Sequence, residues 1–278
     1  MTTNSKLKDL LGDIKELPPM PQVAMEVLGI LDKEDYSFAE LVSIITKDVS
    51  ITASILKLAN SPLFGSRVPI NNLTQAISLI GVTNLKNLVI ALSTKGLFES
   101  NKIGVFEQKL WEHSVATAIY AKLFALKYNR KYSEEAFILG LLHDLGQTIL
   151  SIYLEKYHTV KEIIFGETVN VLYVEREFLG FDHCEIGSLL LNEWGLPELY
   201  SNVIMYHHNP EKSKFSALAQ IIFIANNKVK EHGYTISTWN DEGFKSVLEQ
   251  LGIEESELSD LDLNFLDLIK NEKELLKL

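Results

Sequence analysis

Five of the seven histidines, His113, His143, His183, His207 and His208, stand in the phrases WEHS, GLLHDLG, FDHCEIG and YHHNP in the second half of the chain. Neutral imidazole together with carboxylate suits iron, manganese, zinc or nickel, whereas calcium and magnesium favour all-oxygen shells. Asp144 directly follows His143, and on a regular helix adjacent side chains diverge by about 100 degrees. Both reach one ion only near a helix end or with the ion lodged between helices; alternatively Asp144 bridges two ions. Asp182 reads as an N-cap that puts His183 in a first helical turn, and His207-His208 close a helix before Asn209-Pro210. Ligands offered from helix ends can converge on one cavity. His113 lies early in a long helix beside Ala116, Thr117 and Ala118, whose small side chains let another helix approach. Taken singly, His183 has a plain reading as a structural first-turn residue, and His207-His208 as a helix end favoured by the dipole. Taken together around the His-Asp pair, the five histidines read as a living or ancestral metal site.

The elements that must position them are helices. Apolar residues recur at helical spacing, as in Val23, Val27, Leu28 and Leu31, and sustained period-two alternation is scarce, so the expected fold class is all-α. Ser37 three residues before Glu40, and Asp182 three before Glu185, set an N-cap acceptor opposite an N3 carboxylate. Pro21 and Pro197 sit where a first turn tolerates a missing N–H. The first half predicts short helices near 5–15, 21–32, 37–47, 50–59, 72–80 and 83–97, with breakers at Asn60-Ser61-Pro62, Gly65 and Gly81. The second predicts helices at 106–128, 134–153, 155–165, 169–179, 183–194, 198–207 and 214–231. Gly146, just beyond the His-Asp pair, suggests a local relaxation of the second of these. The polar stretch Glu99 to Gly104 separates the halves. The expected division is a helical portion over 1–100, a histidine-bearing portion over 101–232 and an acidic helical appendage over 233–278.

Composition bounds the function. The formal net charge is −11, and residues 241–278 alone carry eleven acidic and four basic side chains, which argues against a nucleic-acid or anionic-membrane surface. No signal-peptide pattern opens the chain and no window approaches 18 uncharged apolar residues, so the expectation is a cytoplasmic protein without a membrane span. Cys184 is the single cysteine, which excludes an intrachain disulfide and reads as a buried bystander. Trp111 and Trp194 read as core, and His158 and His232 as surface residues.

Several phrases resemble the HDOD family, bacterial regulatory domains related to the HD superfamily of metal-dependent phosphohydrolases. They are LPPMPQVAMEVL (17–28), IITKDVSITASILKLANSPLFG (44–65) and INNLTQAISLIGVTNLKNLVI (70–90), then WEHSVATA, EEAFILGLLHDLGQTIL, LGFDHCEIGSLLLNEWGLP and IMYHHNP. The likeness runs from Leu17 to Pro210 and on toward Asn227; NSPLFG joined to LPPMP is its most specific part. It implies a bundle-like first portion packed on a shortened HD-type helical fold. By position, the metal-binding branch that hydrolyses cyclic dinucleotides implies a first metal on His113, His143 and Asp144. A second would share Asp144 and take His183, His207 and His208. The chain departs from that branch in three places. Asn226 stands where a late aspartate would complete the first metal, Gln147 stands in place of a lysine that stabilises phosphate charge, and no glycine-tyrosine-proline segment follows the histidine pair.

The resulting expectation is a signal-transduction module acting through an unidentified signalling protein partner, with a degenerate site for one divalent transition metal or none and little or no catalysis. It is expected to work alone or through noncovalent assembly. The alternative is a metal-dependent phosphohydrolase or cyclic-dinucleotide phosphodiesterase in which Asp144 is essential. The sequence leaves open whether Glu112, Glu185 or the acidic tail replaces the carboxylate lost at Asn226.

Overall fold

The computed structural model describes residues 19–31, 33, 35–64, 68–94, 104–237 and 243–271. The expected helix over 5–15, Gly65 and most of the polar stretch before Gly104 lie outside them. Among the described residues every regular element is helical. The chain divides into two compact units, one of Met20–Ser100 with Asn264–Leu278, the other of Asn101–Leu263 with the amino terminus through Pro19. Residues 243–263 therefore fall in the same unit as the histidines.

The smaller unit contains α1 (Gln22–Leu31), α2 (Phe38–Lys47), α3 (Val49–Asn60), α4 (Leu73–Ile80) and α5 (Val82–Ser93). Its helix starts are set locally. Ser37, Asp48 and Asn72 each accept the backbone N–H three residues on, satisfying a donor that the helix leaves unpaired. The stripe Ala24, Val27, Leu41, Ile45, Ile55, Ala76, Ile77, Leu85 and Val89 is wholly buried. The NSPLFG phrase has a local cause as well: the Asn60 carboxamide donates to the Ile70 carbonyl and accepts from its N–H, both at 2.8 Å, and so clamps the loop that begins at Ser61.

The histidine-bearing unit is built on α6 (Val105–Tyr128), buried on most of its circumference from Phe106 to Ala125. Around it run α7 (Ser133–Leu142), α8 (Leu145–Tyr153), α9 (Tyr157–Ile164), α10 (Val171–Leu179), α11 (His183–Glu193), α12 (Glu198–Met205), α13 (Ser216–Glu231) and α14 (Phe244–Leu251), followed by α15 (Ser259–Asn271), which belongs to this unit through Leu263 and to the smaller one from Asn264. The single helix expected over 134–153 is two helices, and the break falls on His143 and Asp144. Residues 130–153 form the one stretch among the described residues apolar enough to span a membrane, and 89% of its window is buried within the fold.

Glycines set how closely the helices cross. A Cβ on Gly140 would lie 2.5 Å from the Ala118 Cα, so α7 meets α6 backbone to backbone beside the small residues that follow His113. A Cβ on Gly146 would lie 1.9 Å from the His183 carbonyl oxygen and 2.6 Å from the Gly187 nitrogen. Gly146 lies inside α8 with an ordinary negative φ. Its role is thus to let α11 touch α8, and the relaxation expected of it is instead carried by Asp144 at φ −101 and ψ 19.

Candidate metal centre

The break between α7 and α8 resolves the geometric problem posed by adjacent ligands. His143 ends one helix and Asp144 opens the next, so both side chains enter the same pocket. Four imidazoles from four segments meet the Asp144 carboxylate there. Oδ2 lies 3.5 Å from His113 Nε2 and 3.2 Å from His143 Nε2; Oδ1 lies 3.4 Å from His183 Nε2 and 3.6 Å from His207 Nε2. All five residues are at most 5% exposed. His208 is half-buried and stacks at 4.2 Å between ring centroids on His207 and 5.3 Å from His183.

Each ring is oriented through its other nitrogen. Nδ1 of His113 lies 2.7 Å from the Tyr234 carbonyl, Nδ1 of His143 2.8 Å from the Gly140 carbonyl, and Nδ1 of His207 2.7 Å from the Ile204 carbonyl. A carbonyl only accepts, so in the neutral ring the proton sits on Nδ1 and the Nε2 lone pair faces Asp144. The fourth ring, His183, takes a carboxylate instead: Glu175 Oε2 is 2.7 Å from Nδ1 and also accepts the His183 backbone N–H at 2.9 Å.

The consequence is electrostatic. Nε2 of His113 and His143 stand 3.1 Å apart, and Nε2 of His183 and of His207 make no hydrogen bond. Imidazole lone pairs gathered round a buried carboxylate repel one another unless a proton or a metal cation stands among them. Burial first, then neighbouring His143, hold the His113 imidazole down to about 3 against the opposing pull of Asp144, so this ring is neutral at physiological pH. Burial opposes ionisation of Asp144, but His143, His207 and His183 outweigh it and hold the carboxyl well below its usual range. Burial also works against protonation of His183, yet the Glu175 carboxylate prevails and raises it well above the ordinary imidazole value. A carboxylate behind a ligating imidazole increases its basicity in the same way toward a metal.

Donor atoms cluster in two groups, His113 with His143 and Asp144, and His183 with Cys184, His207 and His208, each within 4.8 Å. This set of buried imidazoles with a single carboxylate and unpaired Nε2 atoms fits a divalent transition metal. Cys184 is buried as expected, but Sγ lies 3.7 Å from Nδ1 of His207, at the back of a ring already tied to Ile204.

Two of the three departures, Asn226 and Gln147, both line the cavity. Asn226, 1% exposed, lines the cavity at the centre with His113, Asp144, His183 and His208, and its Oδ1 has no hydrogen-bond partner. Gln147 also lines the cavity, and its amide donates at 3.0 Å to the Tyr157 hydroxyl. Burial and then Glu175 push that phenol well above its ordinary value, so it keeps its proton and donates it to Glu175 at 2.5 Å. Gln147, Tyr157 and Glu175 thus form a supporting chain that ends on His183. Neither Glu112 nor Glu185 lines the cavity: Glu112 pairs with Lys109, and Glu185 accepts from the Asp182 backbone.

Three contributors were missed in the sequence. Glu175 and Tyr157 belong to no motif and meet the site only through the fold. Lys230 lines the cavity and had a signal available, since it lies four residues beyond Asn226 on the same face of α13. His232 corrects an expectation: it is half-buried against Asp262 at 3.2 Å, because α15 covers that end of α13. His158 is exposed, as expected.

A sequence model of the HDOD domain matches residues 17–210. The chain belongs to the HDOD family. Solved structures of similar fold include an HDOD domain protein of unknown function from Geobacter sulfurreducens, 21% identical, with TM-score 0.67 over 94% of this chain and 99% of that one. A proposed metal-dependent phosphohydrolase from Shewanella amazonensis SB2B is 22% identical, with TM-score 0.70 over 96% of this chain and 98% of that one. A proposed signal transduction protein from Marinobacter aquaeolei VT8 is 18% identical, with TM-score 0.68, and its match covers 99% of this HDOD chain and 65% of that protein. At these identities the likeness is one of fold. An uncharacterized protein of Treponema pallidum (strain Nichols) is 27% identical over 236 residues, 82% of this chain and 45% of that protein. The HDOD chain thus spans about half the length of that curated relative.

Proposed function

We propose that this HDOD chain is a regulatory signal-transduction module whose histidine centre holds one divalent transition metal, on Asp144, His183, His207 and His208, and which acts by binding a signalling protein rather than by turnover. The observation that carries this reading is a converged ligand set with uncharged side chains at positions 226 and 147, where the hydrolytic branch carries an aspartate and a lysine. Four imidazoles present Nε2 to Asp144, while Asn226 and Gln147 bring no charge to the cavity wall. Two-metal hydrolysis needs ions about 3.5–4 Å apart, one generating hydroxide and the other neutralising the leaving oxygen. The first position here has His113, His143 and Asp144 without a second carboxylate.

One feature favours a second reading, a metal-dependent phosphohydrolase or cyclic-dinucleotide phosphodiesterase: the centre opens toward solvent through a cleft lined by Asn170, Thr235 and Ser237 rather than being sealed. Metal analysis of protein purified without chelator, with hydrolysis of a generic phosphodiester and of cyclic di-GMP after loading with iron, manganese or zinc, separates the two. Stoichiometric metal without turnover is the expected result. Turnover that vanishes in Asp144→Ala overturns the regulatory reading, and protein that takes up no metal overturns the metal centre.

A further inference from the structure

One run of backbone serves both the mouth of the cavity and a ring at its floor. Helix α13 stops at Gly233, whose φ is +85; there the Gly233 N–H donates to the Lys230 carbonyl and the Tyr234 N–H to the Val229 carbonyl, each at 3.0 Å. This pair of bonds on a left-handed glycine fixes the direction in which the chain leaves the helix. The residues that follow form a strap. The Tyr234 carbonyl turns inward and accepts from Nδ1 of His113 at 2.7 Å, whereas Thr235, Ile236 and Ser237 line the cavity together with Asn170, Val171 and Leu172 from the start of α10.

The strap is tied to the chain that leads into α10. The Gly166 N–H donates to the Ile236 carbonyl at 2.8 Å, and the buried Ser237 hydroxyl donates to the Glu167 and Val169 carbonyls, 2.9 Å from each. Thr235 staples the strap internally, its Oγ1 accepting the Ser237 N–H at 3.1 Å. Before Gly233 the end of α13 is pinned, because Lys228 and His232 lie 3.0 and 3.2 Å from the Asp262 carboxylate. A displacement of the mouth therefore pivots at Gly233 and takes the Tyr234 carbonyl from His113. Without that hold the neutral ring favours its proton on Nε2, since Oδ2 of Asp144, 3.5 Å away, is charged and so the stronger acceptor. The held ring turns a lone pair toward a cation at Asp144; the released ring turns an N–H toward it and draws on the same carboxylate. A cation at the centre thus favours the closed strap, and by reciprocity the closed strap favours the cation.

We propose that Gly233–Ser237 is a conformational strap that couples the opening of the cavity mouth to the hold on His113, so that occupancy of the metal centre is registered at the exposed residues Phe165 to Thr168. The proposal rests on the metal reading given above and supplies the regulation of that same site. It does not require His113 to be a ligand, because the coupling passes through Asp144.

Gly233 supplies the test. A Cβ there would meet no atom within 4 Å, so a substitution acts through the backbone alone. Valine resists the left-handed conformation and asparagine tolerates it. Zinc or manganese affinity of the full chain is measured by competition with a chelator, hydrogen exchange is followed in peptides covering 163–170 and 230–237, and metal content is determined for every sample. Gly233→Val should speed exchange in both peptides and weaken metal binding, each by roughly 5–30-fold, the factor to which left-handed strain on an L-residue corresponds. Gly233→Asn should restore both. In the wild type, metal loading should slow exchange in both peptides by more than in α14, which does not line the cavity and reports the stability of the unit; this comparison stands whether or not the valine variant folds. Unchanged exchange in Gly233→Val, faster exchange with unchanged metal affinity, a loss of affinity that asparagine does not restore, or protection by metal no greater than that of α14 overturns the proposal and leaves the metal centre standing. Absence of metal overturns both, and the metal analysis alone reveals that case.

Discussion

At the scale of single residues, the centre separates side chains that donate to an ion from those that aim the donors. Glu175 aims His183 through both its ring and its backbone, and Tyr157 and Gln147 stand behind it. Replacing such a partner of a ligating histidine typically costs 10–100-fold in metal affinity. Glu175→Gln should therefore weaken metal binding by about that factor with the helical circular-dichroism signal unchanged; an unchanged affinity would show that His183 is not a ligand. Asn226 makes the opposite prediction. Asn226→Asp restores a carboxylate beside His113, His143 and Asp144, and elemental analysis should find a second equivalent of metal, whereas wild-type stoichiometry would place position 226 outside the ligand shell. The ligands themselves were legible because histidine is rare and its phrases are distinctive. Their supports were not, since Glu175 reads as one more acidic residue on the helix 171–179 until the fold brings it beneath His183.

At the scale of elements, the helix starts at Ser37, Asp48, Asn72, Asn170 and Asp182 all rest on a side chain and a backbone N–H three residues apart, so local sequence reveals them. The interruption at His143-Asp144 has no such signature, because the apolar residues continue through it and the reason for breaking lies in the partners contributed by α6, α11 and the turn after α12. Gly146 shows how strictly that arrangement depends on contact between backbones. With a Cβ there at 1.9 Å from the His183 carbonyl oxygen, Gly146→Ala forces α11 away from α8, at a cost of about 3 kcal/mol or more. Denaturant titration should register that loss, and metal affinity should fall with it because His183 moves from Asp144. Full stability in the variant would show that the two helices can separate at no cost.

At the scale of the whole molecule, the division into two compact units has a thermodynamic counterpart. Each has its own buried apolar set, and all six candidate ligands, the four proposed to hold the metal among them, belong to the larger one. A metal that binds only folded protein stabilises the unit that holds it by about 2.7 kcal/mol at a free concentration one hundred times Kd. Calorimetry in the presence and absence of chelator should show the transition of the histidine-bearing unit moving on the order of 5–10 °C, with a transition of the other unit unmoved. A single transition that shifts as a whole would mean that the units unfold together.

Three of the four rings round Asp144 are held by main-chain carbonyls, those of Tyr234, Gly140 and Ile204, and His183 is held instead by a carboxylate. A carbonyl survives almost any substitution at its own position, so the tautomers of His113, His143 and His207 are shielded from mutation as long as the backbone keeps its path. His183 has no such protection. Evolution can adjust the strength of this centre one residue at a time chiefly through Glu175 and the pair behind it, and drift among related chains is expected to retune metal affinity there long before it dismantles the cluster.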